Sequence, residues 1–288
     1  MANAKPKSSA ECVPRSANGS AVLAFRAGRY SRRRLAADLG QIALLLAGVS
    51  WLVLHGARSM HYDWQWYRVP DYFLRVVDGG VVWGPLAKGL LVTLEISALS
   101  LVLTVVIGLI TALLRLSRSF AGRVLATAYL ELIRNTPLLV QLYVFYFVLG
   151  PTLGIGRFWT GVLCLAFFEG SYAAEIIRGG IQSVAKGQWE ASQSLGLGRY
   201  AGFRCVILPQ ALRIMLPPLT GQSVSLVKDS SIVSVIAIFD LTSEGRNVIS
   251  DTFMSFEIWF TVAALYLVLT FSLSTVASGL ERWLHQDA

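Results

Sequence analysis

The sequence predicts an all-α, polytopic membrane protein with six transmembrane helices. Three observations lead there. Of its 288 residues, 55% are hydrophobic and only 15% charged, against roughly 25% charged in soluble domains. The apolar residues gather in runs long enough to cross a hydrocarbon core, which takes about 20 residues of helix. Lys and Arg are also spread unevenly between the segments that join those runs, as expected of a chain oriented in a bilayer. The formal net charge of +8 therefore marks a cytoplasmic membrane face and not a nucleic-acid partner. Three cysteines, Cys12, Cys164 and Cys205, follow no metal-ligand or disulfide spacing and read as structural thiols.

Taken in order, residues 1–38 are polar, unpatterned and Arg-rich near their end. They are expected to form a disordered basic cytoplasmic tail. Leu39 to His55 is apolar and uncharged, which predicts a first spanning helix. Residues 56–85 hold Trp64, Trp66, Tyr67, Tyr72 and Trp83, amphipathic rings suited to the headgroup level. That stretch predicts an external loop with a short surface-lying helix. A second span is predicted over Gly89–Leu116, its Ser97, Ser100 and Thr104 allowing close helix packing. A third runs from Val124 to Leu149 and should bend at Pro137, whose ring blocks a helix hydrogen bond. A fourth covers Phe158 to Arg178. A fifth covers Arg213 to Phe239, expected to break or kink around Pro217, Pro218 and Gly221. An acidic loop over 240–257 precedes a last span from Ile258 to Val276.

The joining segments fix an orientation. With the N-terminus inside, the tail, 115–123, 178–206 and the C-terminus hold about 16 of the 25 basic residues. Both termini are thus expected in the cytoplasm. The polar stretch between spans four and five then faces the cytoplasm too. It begins "GQWEASQSLGLGRY" at Gly187, and its first residues favour a short helix that Gly196 and Gly198 should end. Trp189 and Leu195 offer apolar anchors, and Ala191, Ser192 and Gly196 are small. A helix this short is unstable alone and needs a surface to dock on.

Glu190-Ala191-Ser192, three residues, Gly196, nine residues, then Val206-Ile207-Leu208-Pro209 resembles the EAA loop of ABC importer inner-membrane permeases. Ser192 and Val206 depart conservatively from the family's pattern. The flanking "ELIRNTPLLVQLYVFYF", "ILPQALRIMLPPLTGQ" and "LVKDSSIVSVIAIFDL" are similar to the polar amino acid uptake branch. The resemblance implies a five-helix type I ABC importer core over 86–284, with an EAA coupling loop at 180–209. Residues 39–85 would add an extra N-terminal helix and a periplasmic loop. It further implies a bacterial inner-membrane location, cytoplasmic ABC ATPase subunits, a periplasmic or extracellular amino-acid-binding protein, and a second permease copy or a paralogous permease. The loop residues Trp189, Glu190, Ala191, Ser192, Gly196, Leu208 and Pro209 would receive the ATPase's motion.

No segment reads G-x-x-x-x-G-K-[ST], the loop that cradles nucleotide phosphates, and no catalytic or metal set is present in the sequence. The chain is thus expected to be a passage, not an enzyme. It carries no cofactor of its own, while ATP and Mg belong to the partner ATPase. An ion-coupled secondary amino acid transporter is the alternative, and a non-transporting scaffold the third reading. Charges at membrane depth cost at least about 2.5 kcal/mol, so they should face protein or water. A polar amino acid needs both signs or hydroxyls along its path. Glu169, Tyr172, Lys228, Asp229, Ser230 and Ser231 are the candidates for that pathway. Glu131 with Arg134, and Glu175 with Arg178, are spaced to pair on one helix face. Lys228 and Asp229 are also expected to satisfy each other or neighbouring helices.

Overall fold

A computed structural model describes residues 32–59, 62–77 and 80–286. The chain divides into two units, up to Asp63 and from Trp64 onward. In the first unit, helix α1 spans Arg32–Ser59, extending the expected span at both ends. Its apolar stretch, Gly40–Leu52, is shorter than the usual crossing length. The expectations for residues 1–31 lie outside the described residues.

The second unit begins with a 3₁₀ turn, Trp66–Tyr72, and an antiparallel pair of strands, β1 (Leu74–Val77) and β2 (Gly80–Trp83). The sequence reading treated this stretch as loop with a surface helix. The strands follow from β-branched residues, Val76 and Val77 and then Val81 and Val82, which pair antiparallel with Val77 opposite Gly80. Helix α2 (Pro85–Leu116) follows, with Pro85 in its first turn where no N–H is needed.

Helices α3 (Phe120–Arg134) and α4 (Leu138–Leu153) are the two halves of the expected third span, bent by 109°. The bend falls at Pro137, as the sequence suggested. Gln141 makes it affordable. Its Nε2 donates to the carbonyl oxygens of Ile133 at 2.7 Å and Thr136 at 3.0 Å, which ties the second helix back to the end of the first. Helix α4 also contains a π turn at Phe145–Leu149 and stops at Gly154 with φ +66°.

Helix α5 (Arg157–Gln182) is the centre of the bundle and packs against α2 and the later helix over Leu208–Asp229. Its contact with α2 depends on small residues. A Cβ on Gly108 would stand 2.8 Å from the Ala173 Cβ. Ser100 Oγ donates to the Val162 carbonyl across the same contact at 3.2 Å. Close approach of this kind supplies the dispersion contacts that hold helices together in lipid.

The polar stretch after α5 forms α6 (Lys186–Ser194), then α7 (Arg199–Gly202), a π turn (Phe203–Ile207) and α8 (Leu208–Asp229). Of the break or kink expected at Pro217-Pro218-Gly221, the break is absent: α8 continues through both prolines. The two prolines release only the carbonyls of Arg213 and Ile214, at positions that are not buried. The α-helix ends instead after Asp229, in a 3₁₀ stretch over Ser230–Ile236 that closes on Ala237 at φ 55°.

The acidic segment expected as a loop contains a helix, α9 (Leu241–Thr252). Asp240 caps it, accepting from the Ser243 N–H at 3.0 Å and the Thr242 N–H at 3.2 Å. Burial raises the Asp240 carboxyl above the usual carboxylate range, opposed by those two donors. The capping signal was present in the sequence, an Asp followed by Leu241, Val248 and Ile249 at helical spacing. Helix α10 (Ser255–Gln286) is the last element among the described residues.

Among the described residues, α2, α5 and α10 are long and apolar enough to cross a membrane, and the bent α3–α4 pair makes four. Helix α8 falls short because Gln210, Arg213, Gln222, Lys228 and Asp229 dilute it. The result is an all-α membrane architecture with three stacked apolar clusters. One ties Tyr72, Leu86, Leu241 and Ile258 together. A second joins Ile96, Leu142, Leu165 and Val233. The third joins Ala112, Ile177, Ile207 and Met215 beneath the α6 loop.

Candidate functional site

Two regions carry the sequence candidates: the α6 loop and the middle of α5. Helix α6 ends as its residues suggest. Gly196 takes φ +74°, the Leu197 N–H donates to the Ser192 carbonyl at 3.1 Å, and the Gly196 N–H to that of Gln193 at 2.9 Å. This left-handed residue closes the orphan carbonyls of the last turn.

The short helix finds its dock within its own chain. Ser192 is buried and sits against Gly202, where a Cβ would come within 2.9 Å of the Ser192 Oγ. Trp189 meets Phe203 in a tilted ring contact, with centroids 6.3 Å apart. The Gln210 Nε2 donates to Gln188 Oε1 at 3.2 Å, linking α6 to α8. Gly202, Phe203 and Gln210 were not singled out from the sequence. The opposite face is uncovered. Glu190, Ala191 and Gly196 are exposed, and so are Leu195 at 78% and Tyr200 at 74%. The two expected anchors therefore divide: Trp189 holds the loop to the bundle and Leu195 points away from it. Leu208 is half-buried and Pro209 exposed at the start of α8.

The middle of α5 holds the second region. Glu169 lies twelve residues from the start of α5, about 18 Å along its axis. It is fully buried. One carboxylate oxygen accepts from the Gln222 Nε2 of α8, while Oε1 has no hydrogen-bond partner among the described residues. Asp229, two helical turns beyond Gln222, interacts with the same carboxyl. The sequence reading missed Gln222, although its seven-residue spacing from Asp229 places both on one helix face. Tyr172 lies one turn from Glu169, with the Arg134 guanidinium 5.3 Å from its ring centroid.

The remaining pathway candidates are not brought together. Lys228 is exposed and forms no ion pair with Asp229 among the described residues. The helical step of 100° per residue turns the two side chains apart. Ser230 and Ser231 donate their hydroxyls to the carbonyls of Val227 and Lys228, both at 2.8 Å. Those bonds secure the change from α to 3₁₀ geometry. Of the two expected pairs, Glu175 does bind Arg178 at 2.6 Å and also binds Arg115 of α2. Glu131 binds Asn135 instead, at 2.8 Å, since Arg134 is drawn to Tyr172.

Residues 104–287 match the family described as "binding-protein-dependent transport system inner membrane component". The chain belongs to that family. The permease is 39% identical over 211 residues to the glutamine transport system permease protein GlnP of Escherichia coli (strain K12), covering 71% of this chain and 96% of the relative. It is 41% identical over 197 residues to the probable glutamine ABC transporter permease protein GlnM of Bacillus subtilis (strain 168), covering 68% and 91%. Among solved structures, the permease resembles an amino acid ABC transporter crystallised with histidines, at 40% identity and TM-score 0.64, covering 69% of this chain and 93% of that one. An inward-facing MetNI methionine ABC transporter shares the fold at 20% identity and TM-score 0.61, covering 69% and 96%. The permease is a multi-pass, non-catalytic inner-membrane component of an ABC import complex that also includes an ATPase and a binding protein.

Proposed function

We propose that this permease forms the passage for a polar amino acid, glutamine being the first to test, handed over by a binding protein outside a bacterial cell. In this reading the described helices belong to a six-span arrangement with both termini cytoplasmic. The family core occupies 86–284, and 39–85 add a helix and an outer segment. Cytoplasmic ABC ATPases hold ATP and Mg, and dock on the exposed face of α6. Glu190, Ala191, Gly196 and Leu195 meet them, while Trp189, Ser192, Leu208 and Pro209 fix the loop to the bundle. Motion of the ATPases then reaches α5 and α8, because α6 is seated on the chain that continues into α8. A second permease, either a copy or a paralogue, completes the passage.

The observation that supports the substrate class is the buried Glu169, with one unpartnered oxygen and Asp229 beside it. Two carboxyls at mid-span, one with a free acceptor, suit a substrate ammonium. Gln222 holds the other oxygen and orients the group. Tyr172 borders the same path, and Lys228, Ser230 and Ser231 lie beyond it at the end of α8. The test is uptake of labelled glutamine and other polar amino acids by proteoliposomes holding the complete complex. Glu169→Ala is expected to lower uptake about tenfold or more, since a hydrogen bond to a charged group is worth about 1.5–3 kcal/mol. Hydrolysis stimulated by the loaded binding protein should persist. Unchanged uptake by a correctly folded Glu169→Ala complex would remove Glu169 from the path.

A further inference from the structure

On the bundle side of α6 lies a cleft of about 500 Å³. Its floor is apolar, made by Leu113 and Leu116 at the end of α2, Ile181 at the end of α5, and Phe203 of the π turn. Lys186, the first residue of α6, stands at its rim, and Trp189 forms one wall. The cleft is therefore bounded by the ends of two spanning helices and by the loop beneath them. That is the depth of the inner membrane boundary if the loop is cytoplasmic, a premise taken from the proposed function.

The charges at this boundary are not balanced. Arg115 is already engaged by Glu175. Lys186 is the cation that lines the cleft, and Arg118 directly follows Ser117, which lines it together with Gln182; both cations are exposed and have no ion pair among the described residues. Trp189 brings an amphipathic ring of the kind that settles at headgroup level. An occupant must then have an apolar body and an anionic end. Basic pockets between spanning helices on the cytoplasmic side hold anionic lipid headgroups, because the inner leaflet supplies the charge and the tails supply the contact. The exposed face of α6, with Leu195 and Tyr200, points elsewhere and remains available to the ATPase.

We infer that this cleft binds one anionic phospholipid of the inner leaflet. Its phosphate sits between Lys186 and Arg118, and its tail lies on Leu116, Ile181 and Phe203. The lipid joins α2 and α5 to the coupling loop, so its presence tightens the link between ATPase motion and the bundle.

Native mass spectrometry of the purified full-length chain, exchanged into mixed phosphatidylglycerol and phosphatidylcholine, reads the site without any transport assay. Preferential retention of one phosphatidylglycerol is expected. Lys186→Gln and Arg118→Gln should each weaken that preference by about five-fold. Leu113→Trp, which fills the cleft from its exposed side and keeps both cations, should displace the lipid as well. Equal retention of the two lipids would overturn the proposal, as would a folded double Gln variant that keeps its phosphatidylglycerol. Displacement by soluble glycerol phosphate, which has the charge without the tails, would also overturn it by marking a simple anion site. Cysteine labelling at Ser194 separates the premise from the proposal: labelling from outside would overturn the orientation, whatever lipid is retained.

Discussion

Replacing Gly196 by valine tests the coupling role most directly. Gly196 holds φ +74°, and a Cβ built there meets nothing within 4 Å. Within the chain, the cost is thus backbone strain alone. A residue with a Cβ in the left-handed region costs about 1–2 kcal/mol, a factor of about 5–30 in the population of the native turn. That is small against the stability of a bundle closed by three apolar clusters, so the variant should insert and assemble. Yet the side chain would project from the exposed face of α6, beside Leu195, into any partner seated there. Uptake is therefore expected to be abolished even though the permease itself folds. Gly196→Asn separates the two effects, since Asn tolerates the left-handed region. It should fall between wild type and valine. The assay is ATP hydrolysis by the reconstituted complex, with and without loaded binding protein, measured alongside uptake. If the valine variant assembles and keeps both stimulated hydrolysis and uptake, α6 is not the coupling element.

Other expectations follow from particular contacts. Gly108→Leu forces a side chain into a space where even a Cβ stands 2.8 Å from Ala173. It should destabilise the fold by about 1–3 kcal/mol or more, seen as a lowered midpoint in detergent melts; an unchanged midpoint would contradict the close packing of α2 on α5. Glu175→Ala leaves Arg115 and Arg178 without their shared partner. Because all three side chains are partly exposed, the loss should be only about 1 kcal/mol, and a loss of several kcal/mol would show the cluster to be shielded from water. Asp240→Ala removes the cap of α9 and should cost about 1 kcal/mol, while Asp240→Asn should recover most of it; equal loss in both would assign Asp240 a role beyond capping. Deleting residues 1–30 while keeping Arg32, Arg33 and Arg34 should leave uptake near normal at matched expression. Lost uptake with normal insertion would give the tail its own task.

The sequence by itself determined the class of the protein and the position of its loop. Apolar runs without charges can be stable only in lipid or a large core, and that requirement is local, so composition and run length suffice. Gly196 as the end of α6 and Pro137 as a bend were legible for the same reason: each is a constraint on one residue's backbone. The spacing from Glu190 to Pro209 carried the family. Other features depended on partners distant in the chain. Gln141 reaches back across the bend, Gln222 meets Glu169 from another helix, and Gly202 seats Ser192; no local pattern assigns such pairings. Competition between partners also decided outcomes that spacing left open. Arg134 lies over Tyr172 instead of pairing with Glu131, and Lys228 turns away from Asp229. Pro217 and Pro218 read as a break or a kink, yet α8 runs unbroken through them. A missing N–H costs one rung of a helix, and packing against α5 and α10 along the rest of α8 outweighs two lost rungs. The sequence names which residues resist water or bend a backbone. Only the assembled bundle decides which of the buried polar groups find each other, as Gln222 finds Glu169.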